Sequence, residues 1–99
     1  MADFDVVDGR LVCNRDPRFD DPNFKNACEE LLKQAGPNLH LDMSRVKMIS
    51  SPEIGLVIGL WKRAKAQGKT LSVTVSKTVY TVLRIIQLEN VIPIEVAGS

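Results

Sequence analysis

Apolar and polar residues alternate with two different periods along the chain, and the changes of period separate strands from helices. Two short β-favouring runs, Phe4 to Val7 and Arg10 to Cys13, flank Asp8-Gly9, a pair typical of tight hairpin turns. Further along, Leu39 to Met43 begins with an apolar–polar alternation, and Thr70 to Val75 alternates throughout. Both patterns predict half-buried strands.

Between these runs, apolar residues recur at the spacing of amphipathic helices. The first helix is predicted to begin at Asp21-Pro22, with Asp21 as N-cap and Pro22 as the first helical residue, and Gly36-Pro37 is expected to end it. The second helix is predicted from about Pro52 to Gln67, with Gly68 as its C-cap. The residues expected on the buried faces of these two helices are Phe24, Ala27, Cys28 and Leu31, and Ile54, Val57, Ile58, Trp61 and Ala64.

The last third of the chain predicts one more helix and one more strand. Ser76 is expected to cap a helix from about Lys77 to Leu88, and Val91 to Val96 predicts a short strand that Pro93 places at a sheet edge. The order β-β-α-β-α-β-α-β predicts an α/β fold, a single-layer, mixed but mainly parallel sheet with helices packed on it. At 99 residues the whole chain, 1–99, is expected to form one domain. The buried face of the last helix should comprise Val79, Val82, Leu83 and Ile86.

The second predicted helix is apolar nearly all round from Ile54 to Trp61, which is more than a helix lying on a sheet needs to bury. Either Leu56 and Leu60 are exposed and suited to protein docking, or the third helix covers them. Gly55 and Gly59 add a stripe of small residues that would permit close packing against a neighbouring element.

Composition and charge narrow the classes of function. Thirteen basic and twelve acidic side chains give a formal charge of +1, which provides no broad attraction to nucleic acid or to an anionic membrane. The N-terminal residues lack the pattern of a signal peptide, and no apolar run is long enough to cross a membrane. These observations predict a cytoplasmic location, with no nucleic-acid partner and no direct membrane insertion.

The chemistry-bearing residues do not form a catalytic or metal-binding pattern. Cys13 and Cys28 lack a Cys-x-x-Cys spacing and are expected in the core, while His40 is the only histidine available to a zinc site. Asp42 has no accompanying base or phosphate loop in the sequence, so a turn-capping role is expected for it, and His40 is expected to pack or form hydrogen bonds. The sequence therefore predicts a protein that is not an enzyme and that needs no cofactor, with a small enzyme or nucleotide-binding domain as an alternative.

Two serines, Ser50 and Ser51, are predicted at the N-terminus of the second helix, where free N–H groups and the helix dipole favour a capping hydroxyl, an anion or a phosphoserine. If Pro52 is the first helical residue, Ser51 is the N-cap. Alternatively, Ser50 and Glu53 form a capping box, in which Glu53 accepts from the Ser50 N–H. The sequence leaves both assignments open.

Several segments resemble the STAS domain family, which includes bacterial anti-sigma-factor antagonists. The likeness covers roughly residues 38 to 95. The segments that carry it are Leu39-His-Leu-Asp-Met-Ser, Met48-Ile-Ser-Ser, Ile54-Gly-Leu-Val-Ile-Gly-Leu-Trp-Lys-Arg-Ala, Gly68-Lys-Thr-Leu-Ser-Val-Thr and Val79-x-x-Val-Leu-x-x-x-x-Leu-Glu-Asn-Val-Ile-Pro-Ile.

The resemblance implies a regulatory role in bacterial transcription. Aligned through Gly55 and Gly59, the serine that a partner kinase phosphorylates in many antagonists falls on Ser51, with Ser50 as second choice. The family's Asp-Ser-Ser-Gly pattern is replaced by Ser50, Ser51, Pro52 and Glu53. The implied partner is an anti-sigma factor with serine-kinase activity. The residues expected to bind it are Ser50, Ser51, Pro52, Glu53 and Leu56.

The resemblance also allows a second function. STAS-like domains serve as scaffolds or accessory subunits of stress-signalling or transporter complexes. The departures from the family pattern favour such a role without phosphorylation, in which the chain would form a homo-oligomer.

Overall fold

The computed structural model describes residues 2–98, and these form five strands, three α-helices and one short 3₁₀ helix. The order is the predicted one, and the fold is α/β. The elements are β1 (Phe4–Val7), β2 (Arg10–Cys13), α1 (Pro22–Leu32), β3 (Asn38–Met43), α2 (Ser51–Ala66), β4 (Thr70–Val75), α3 (Lys77–Ile85), a 3₁₀ helix (Leu88–Asn90) and β5 (Ile94–Val96).

The five strands lie in the sheet in their sequence order. β1 and β2 form the predicted antiparallel hairpin, and every later pair is parallel, so the sheet is mixed. The hairpin turn places Asp8 at φ 52° and Gly9 at φ 75°, the left-handed conformation that two-residue turns require. β5 occupies an edge of the sheet, as Pro93 predicted.

One face of the sheet is buried under the helices and the other is open. Leu41 and Val73 belong to a single apolar core with Phe24 of α1, Val57 of α2 and Val79 of α3. Because each parallel pair joins neighbouring strands through a right-handed crossover, the three helices lie on the same face. The alternate residues on the other face are half-exposed; they include His40, Asp42, Ser72 and Thr74.

Both cysteines, Cys13 and Cys28, are buried and free, which confirms their predicted place in the core. Burial raises the pKa of each thiol. For Cys28 the pKa reaches about 12.

α2 ends at Ala66, one residue earlier than predicted, with Gln67 rather than Gly68 as its C-cap. The other two helices end several residues earlier than predicted. α1 ends at Leu32, before Gly36-Pro37, because Lys33 and Gln34 donate to the carbonyls of Glu30 and Leu31 and tighten the last turn. α3 ends at Ile85 and does not reach Leu88, because Gln87 adopts a left-handed conformation at φ 60° and breaks the helix.

The buried face of α3 is narrower than predicted. Val79 and Leu83 are buried, whereas Val82 and Ile86 are 38% and 50% exposed. The reason is the early end of the helix: Leu88 and Ile92, which follow the break, fill the core at this point. The predicted strand Val91 to Val96 is likewise reduced to Ile94–Val96.

Candidate functional site

The N-terminus of α2 begins with Ser50 as its N-cap. Ser50 has an extended backbone (φ −104°, ψ 170°), and its carbonyl accepts from the N–H groups of Glu53 and Ile54, each at 3.1 Å. Ser51 is the first helical residue and Pro52 the second. The assignment of Ser51 as N-cap was therefore wrong by one residue.

The predicted capping box does not form, although its two side chains do meet. The Ser50 hydroxyl donates to Oε1 of Glu53, and the Glu53 carboxylate accepts no hydrogen bond from the Ser50 N–H. Oε2 of Glu53 instead accepts from the backbone N–H of Asp20, at 3.1 Å. The Glu53 side chain is 0% exposed, so it lies beneath the surface to which the sequence analysis assigned it.

The other predicted site residues are accessible to different degrees. Ser51 is exposed, and its hydroxyl makes no hydrogen bond to any residue of the segment 2–98. Ser50, Pro52 and Leu56 are half-buried. Of the two serines, Ser51 is therefore the one whose hydroxyl is both exposed and unengaged.

The buried face of α2 is rotated relative to the prediction. The fully buried residues are Glu53, Val57, Leu60 and Ala64. Ile54, Ile58 and Trp61 pack against the core but stay partly exposed. Val57 and Ala64 were predicted correctly.

Neither prediction for Leu56 and Leu60 was right. Leu60 is buried and Leu56 partly buried, but the helix beside them is α1 rather than α3. Together with Cys28 and Leu32 of α1 they line a cavity of about 90 Å³ between the two helices. Gly55 and Gly59 are not used for close packing either, since a Cβ added at either would meet nothing within 4 Å.

The loops before α1 and α2 are joined by hydrogen bonds at the carboxyl ends of the parallel strands, the usual location of sites in such sheets. The Lys47 N–H donates to Oδ1 of Asp16 at 2.7 Å, and Arg45 donates to Oδ1 of Asn14 at 2.7 Å. The contact between Asp20 and Glu53 is a third link between the first loop and α2. The two loops and the start of α2 therefore form one connected region.

Each loop exposes a large apolar side chain that the sequence analysis missed. Phe19, directly before Asp20, is 76% exposed, and Met48, directly after Lys47, is 74% exposed. The available signal was an apolar residue inside a polar loop, which helical and strand periodicities do not detect. The exposed cations Arg18, Arg45 and Lys47 lie on the same loops.

Asp21 holds the first loop in shape. Its carboxylate accepts from Arg15 Nη1 at 2.8 Å and from the N–H groups of Arg18 and Asn23, each at 3.0 Å, so it also caps α1 as predicted. Burial alone would raise the pKa of Asp21, but these hydrogen bonds and the charge of Arg15 lower it to about 2.

His40 and Asp42 lie on the open face of the sheet, in structural roles. The ring nitrogens of His40 lie 2.7 Å from Ser72 Oγ and 2.9 Å from Thr74 Oγ1. Asp42 accepts from the Ser44 N–H at 2.9 Å and pairs with Arg10 at 3.1 Å. The predictions of hydrogen bonding for His40 and turn capping for Asp42 are confirmed.

Within residues 2–98, no helix has the length and apolar character needed to cross a membrane. The same part of the chain holds no cluster of three or more His, Cys, Asp or Glu residues suited to a metal ion. The sequence matches no family model and no curated protein.

Proposed function

We propose that this chain is a STAS-type interaction domain that acts like a bacterial anti-sigma-factor antagonist and carries out no catalysis. Its partner would be an anti-sigma factor with serine-kinase activity, and binding would release the sigma factor in the cytoplasm. The observation that carries the proposal is the exposed Ser51 at the start of α2, beside linked loops that expose Phe19 and Met48.

We call the residues Phe19, Met48, Ser51, Pro52 and Leu56 the docking surface. Exposed apolar side chains at one end of a small domain are suited to a partner's apolar groove, where they would supply most of the binding free energy. The exposed cations Arg18, Arg45 and Lys47 favour a partner whose rim is acidic. A groove with an acidic rim on the anti-sigma factor is therefore the complementary surface.

Phosphorylation of Ser51 would provide the control. A kinase would transfer the γ-phosphoryl group of ATP to Ser51 Oγ, which loses its proton as ADP leaves. The phosphate adds a charge of about −1.5 to −2 at the N-terminus of a helix, where the dipole stabilises it within this domain. Against a partner with an acidic rim the same charge is repulsive, so the partner would be released.

A pull-down from the native cell extract tests the proposal. The native chain should recover a protein with an anti-sigma-factor or serine-kinase sequence, and Phe19→Ala and Ser51→Asp should recover much less of it. Ile85→Ala is the matched control, because Ile85 is 77% exposed but belongs to α3. Recovery of no such protein by the native chain would contradict the proposal.

Mass spectrometry after incubation with the recovered kinase and ATP tests whether Ser51 is phosphorylated. One phosphate is expected on the native chain and none on Ser51→Ala. A phosphate on Ser50, or none on either chain, would remove Ser51 from the mechanism.

A second candidate function is a scaffold or accessory subunit of a stress-signalling or transporter complex. One feature favours it: Val82 and Ile85 of α3, with Ile86 at its C-cap, form an exposed apolar stripe outside the docking surface. Light scattering after size exclusion separates the two functions, since a large homo-oligomer favours the scaffold and a monomer favours the antagonist. Tight binding of ATP or GTP in a calorimetric titration would favour neither and would revive a nucleotide-binding function.

A further inference from the structure

Glu53 is a fully buried carboxylate that has no ion pair with any cation in the part of the chain described, residues 2–98. Burying a carboxylate is costly unless hydrogen bonds compensate for the lost water. Here the compensation comes from the Ser50 hydroxyl and the Asp20 N–H, together with the favourable end of the α2 dipole. A buried apolar side chain would fill the same place without that cost, so the carboxylate calls for an explanation beyond packing.

The two donors to Glu53 belong to different segments of the chain, and each lies next to a residue of the docking surface. Ser50 caps α2, whereas Asp20 lies in the loop before α1, 33 residues before Glu53. The Glu53 side chain thus links the loop that carries Phe19 to the helix that begins at Ser51. We call its two hydrogen bonds, from Asp20 and from Ser50, the tie.

The backbone at Asp20 gives an independent reason to expect that the loop is held in place. Asp20 has φ 55°, a left-handed conformation that costs free energy for any residue with a Cβ. Such a conformation persists only when its surroundings hold it, and the Asp20 N–H donates directly to Glu53. Phe19 and Asp20 are the central residues of a turn that the Asp21 N–H closes onto the Arg18 carbonyl at 3.1 Å, so this turn and the contact with Glu53 together place Phe19.

We propose that Glu53 is a positioning residue of the docking surface. By holding Asp20 against the start of α2, it would present Phe19 and Ser51 to a partner as one rigid surface. This inference rests on the proposed function for its biological meaning, but the tie itself is a property of the isolated chain. It further implies that a negative charge on Ser50 opens the tie, because the charge faces the Glu53 carboxylate, whereas a charge on Ser51 leaves it closed.

Amide hydrogen exchange on the full chain tests the tie. In Glu53→Ala the Asp20 amide should exchange about tenfold faster or more, relative to the core amides of Leu41 and Val73, because its acceptor is lost. Glu53→Gln should restore slow exchange, since its amide oxygen accepts from Asp20 and its NH₂ group donates to the Ser50 hydroxyl oxygen. Ser51→Ala, which removes a hydroxyl outside the tie, should leave exchange at Asp20 unchanged.

Chymotrypsin cleavage after Phe19 provides a second measurement. Cleavage should accelerate about tenfold in Glu53→Ala and in Ser50→Asp, because these two substitutions release the loop that carries Phe19. It should not accelerate in Ser51→Asp or Glu53→Gln, which leave the loop held. If exchange and cleavage change only in step with the core amides, Glu53 stabilises the whole fold and the positioning role is wrong.

Partner binding separates this inference from the proposed function. With the protein recovered by pull-down, Glu53→Ala should weaken binding about as much as Phe19→Ala, and Glu53→Gln should recover it. Native affinity in Glu53→Ala, despite a released loop, would overturn the positioning role and leave the proposed function standing. If no partner is recovered, the proposed function fails, while the exchange and cleavage data still decide whether the tie exists.

Discussion

The guanidinium of Arg15 donates a hydrogen bond to the buried carboxylate of Asp21, with Nη1 2.8 Å from Oδ2. Asp21 also caps α1 through the Asn23 N–H. The same carboxylate therefore fixes both the start of a helix and the loop that carries Phe19. Its protonation should affect the stability of the domain.

The pKa of Asp21 is lowered to about 2 in the folded protein, whereas an unfolded Asp titrates near its ordinary value of about 3.9. The stabilisation is therefore complete above about pH 4 and is lost as the pH falls towards 2. Urea unfolding between pH 2 and 7 should show this loss in the native chain.

Asp21→Asn is the matched control for the acid dependence. Asn still caps a helix well, so at pH 7 this variant should lose less stability than Asp21→Ala, which also loses a cap contribution of about 1 kcal/mol. The stability difference between the native chain and Asp21→Asn should shrink as the pH falls from 4 to 2. A difference that does not change with pH would show that Asp21 keeps an ordinary pKa.

His40 should titrate below the ordinary histidine range. Burial, followed by the charge of Arg10, lowers its pKa from 6.5. A lowered pKa means that the unfolded chain binds the proton more readily, so stability should fall as the pH drops below about 6.5. A nuclear magnetic resonance titration of the ring, with Arg10→Gln expected to raise the pKa, checks this. A His40 pKa of 6.5 or higher in the native chain would contradict the structure.

Alanine at Gly55 or Gly59 should stabilise the protein by about 0.5–1 kcal/mol each, because glycine is a poor helix former and both positions have open space for a Cβ. Gly9→Ala is the opposite control: Gly9 has φ 75°, and a Cβ there would lie 3.1 Å from the carbonyl oxygen of Asn38. It should be destabilising. Thermal unfolding of the three variants gives the comparison, and a loss of stability at Gly55 and Gly59 would mean that α2 packs more closely than described.

The thiol of Cys28 should react with disulfide reagents only after the protein opens. Its pKa is raised to about 12 by burial and by the nearby charge of Glu29, so almost no thiolate exists at pH 8. The labelling rate of Cys28 should therefore rise with the concentration of urea and match the rate at which the protein opens. Fast labelling in the native state, with Cys13→Ser used to assign the site, would contradict the burial.

The features that could be predicted from the sequence depend on neighbouring residues. The Asp8-Gly9 turn and the caps Asp21 and Ser76 are local signals, and the structure confirms all three. The break at Gln87 was missed because a left-handed residue is expected to be glycine, and no glycine stands there.

The geometry of the candidate site depends more on contacts between residues that are distant in the sequence. Glu53 was assigned to a local capping box, but its second partner, Asp20, lies 33 residues away and no local pattern relates the two. The same limit applies to Leu60, which lines a cavity with residues of α1. The position of Ser51 at the start of α2 was predictable, whereas the loops beside it were not.

The strands lie in the sheet in the order in which the ribosome makes them. Each strand that emerges can therefore pair with the strand made just before it. No strand that is made late has to be inserted between two strands that were made earlier. Each pairing thus joins strands that are consecutive in the chain, although the paired residues of the parallel strands, such as Leu41 and Val73, lie far apart in the sequence. We expect the hairpin and the first crossover to assemble during synthesis, with β5 added last at the free edge.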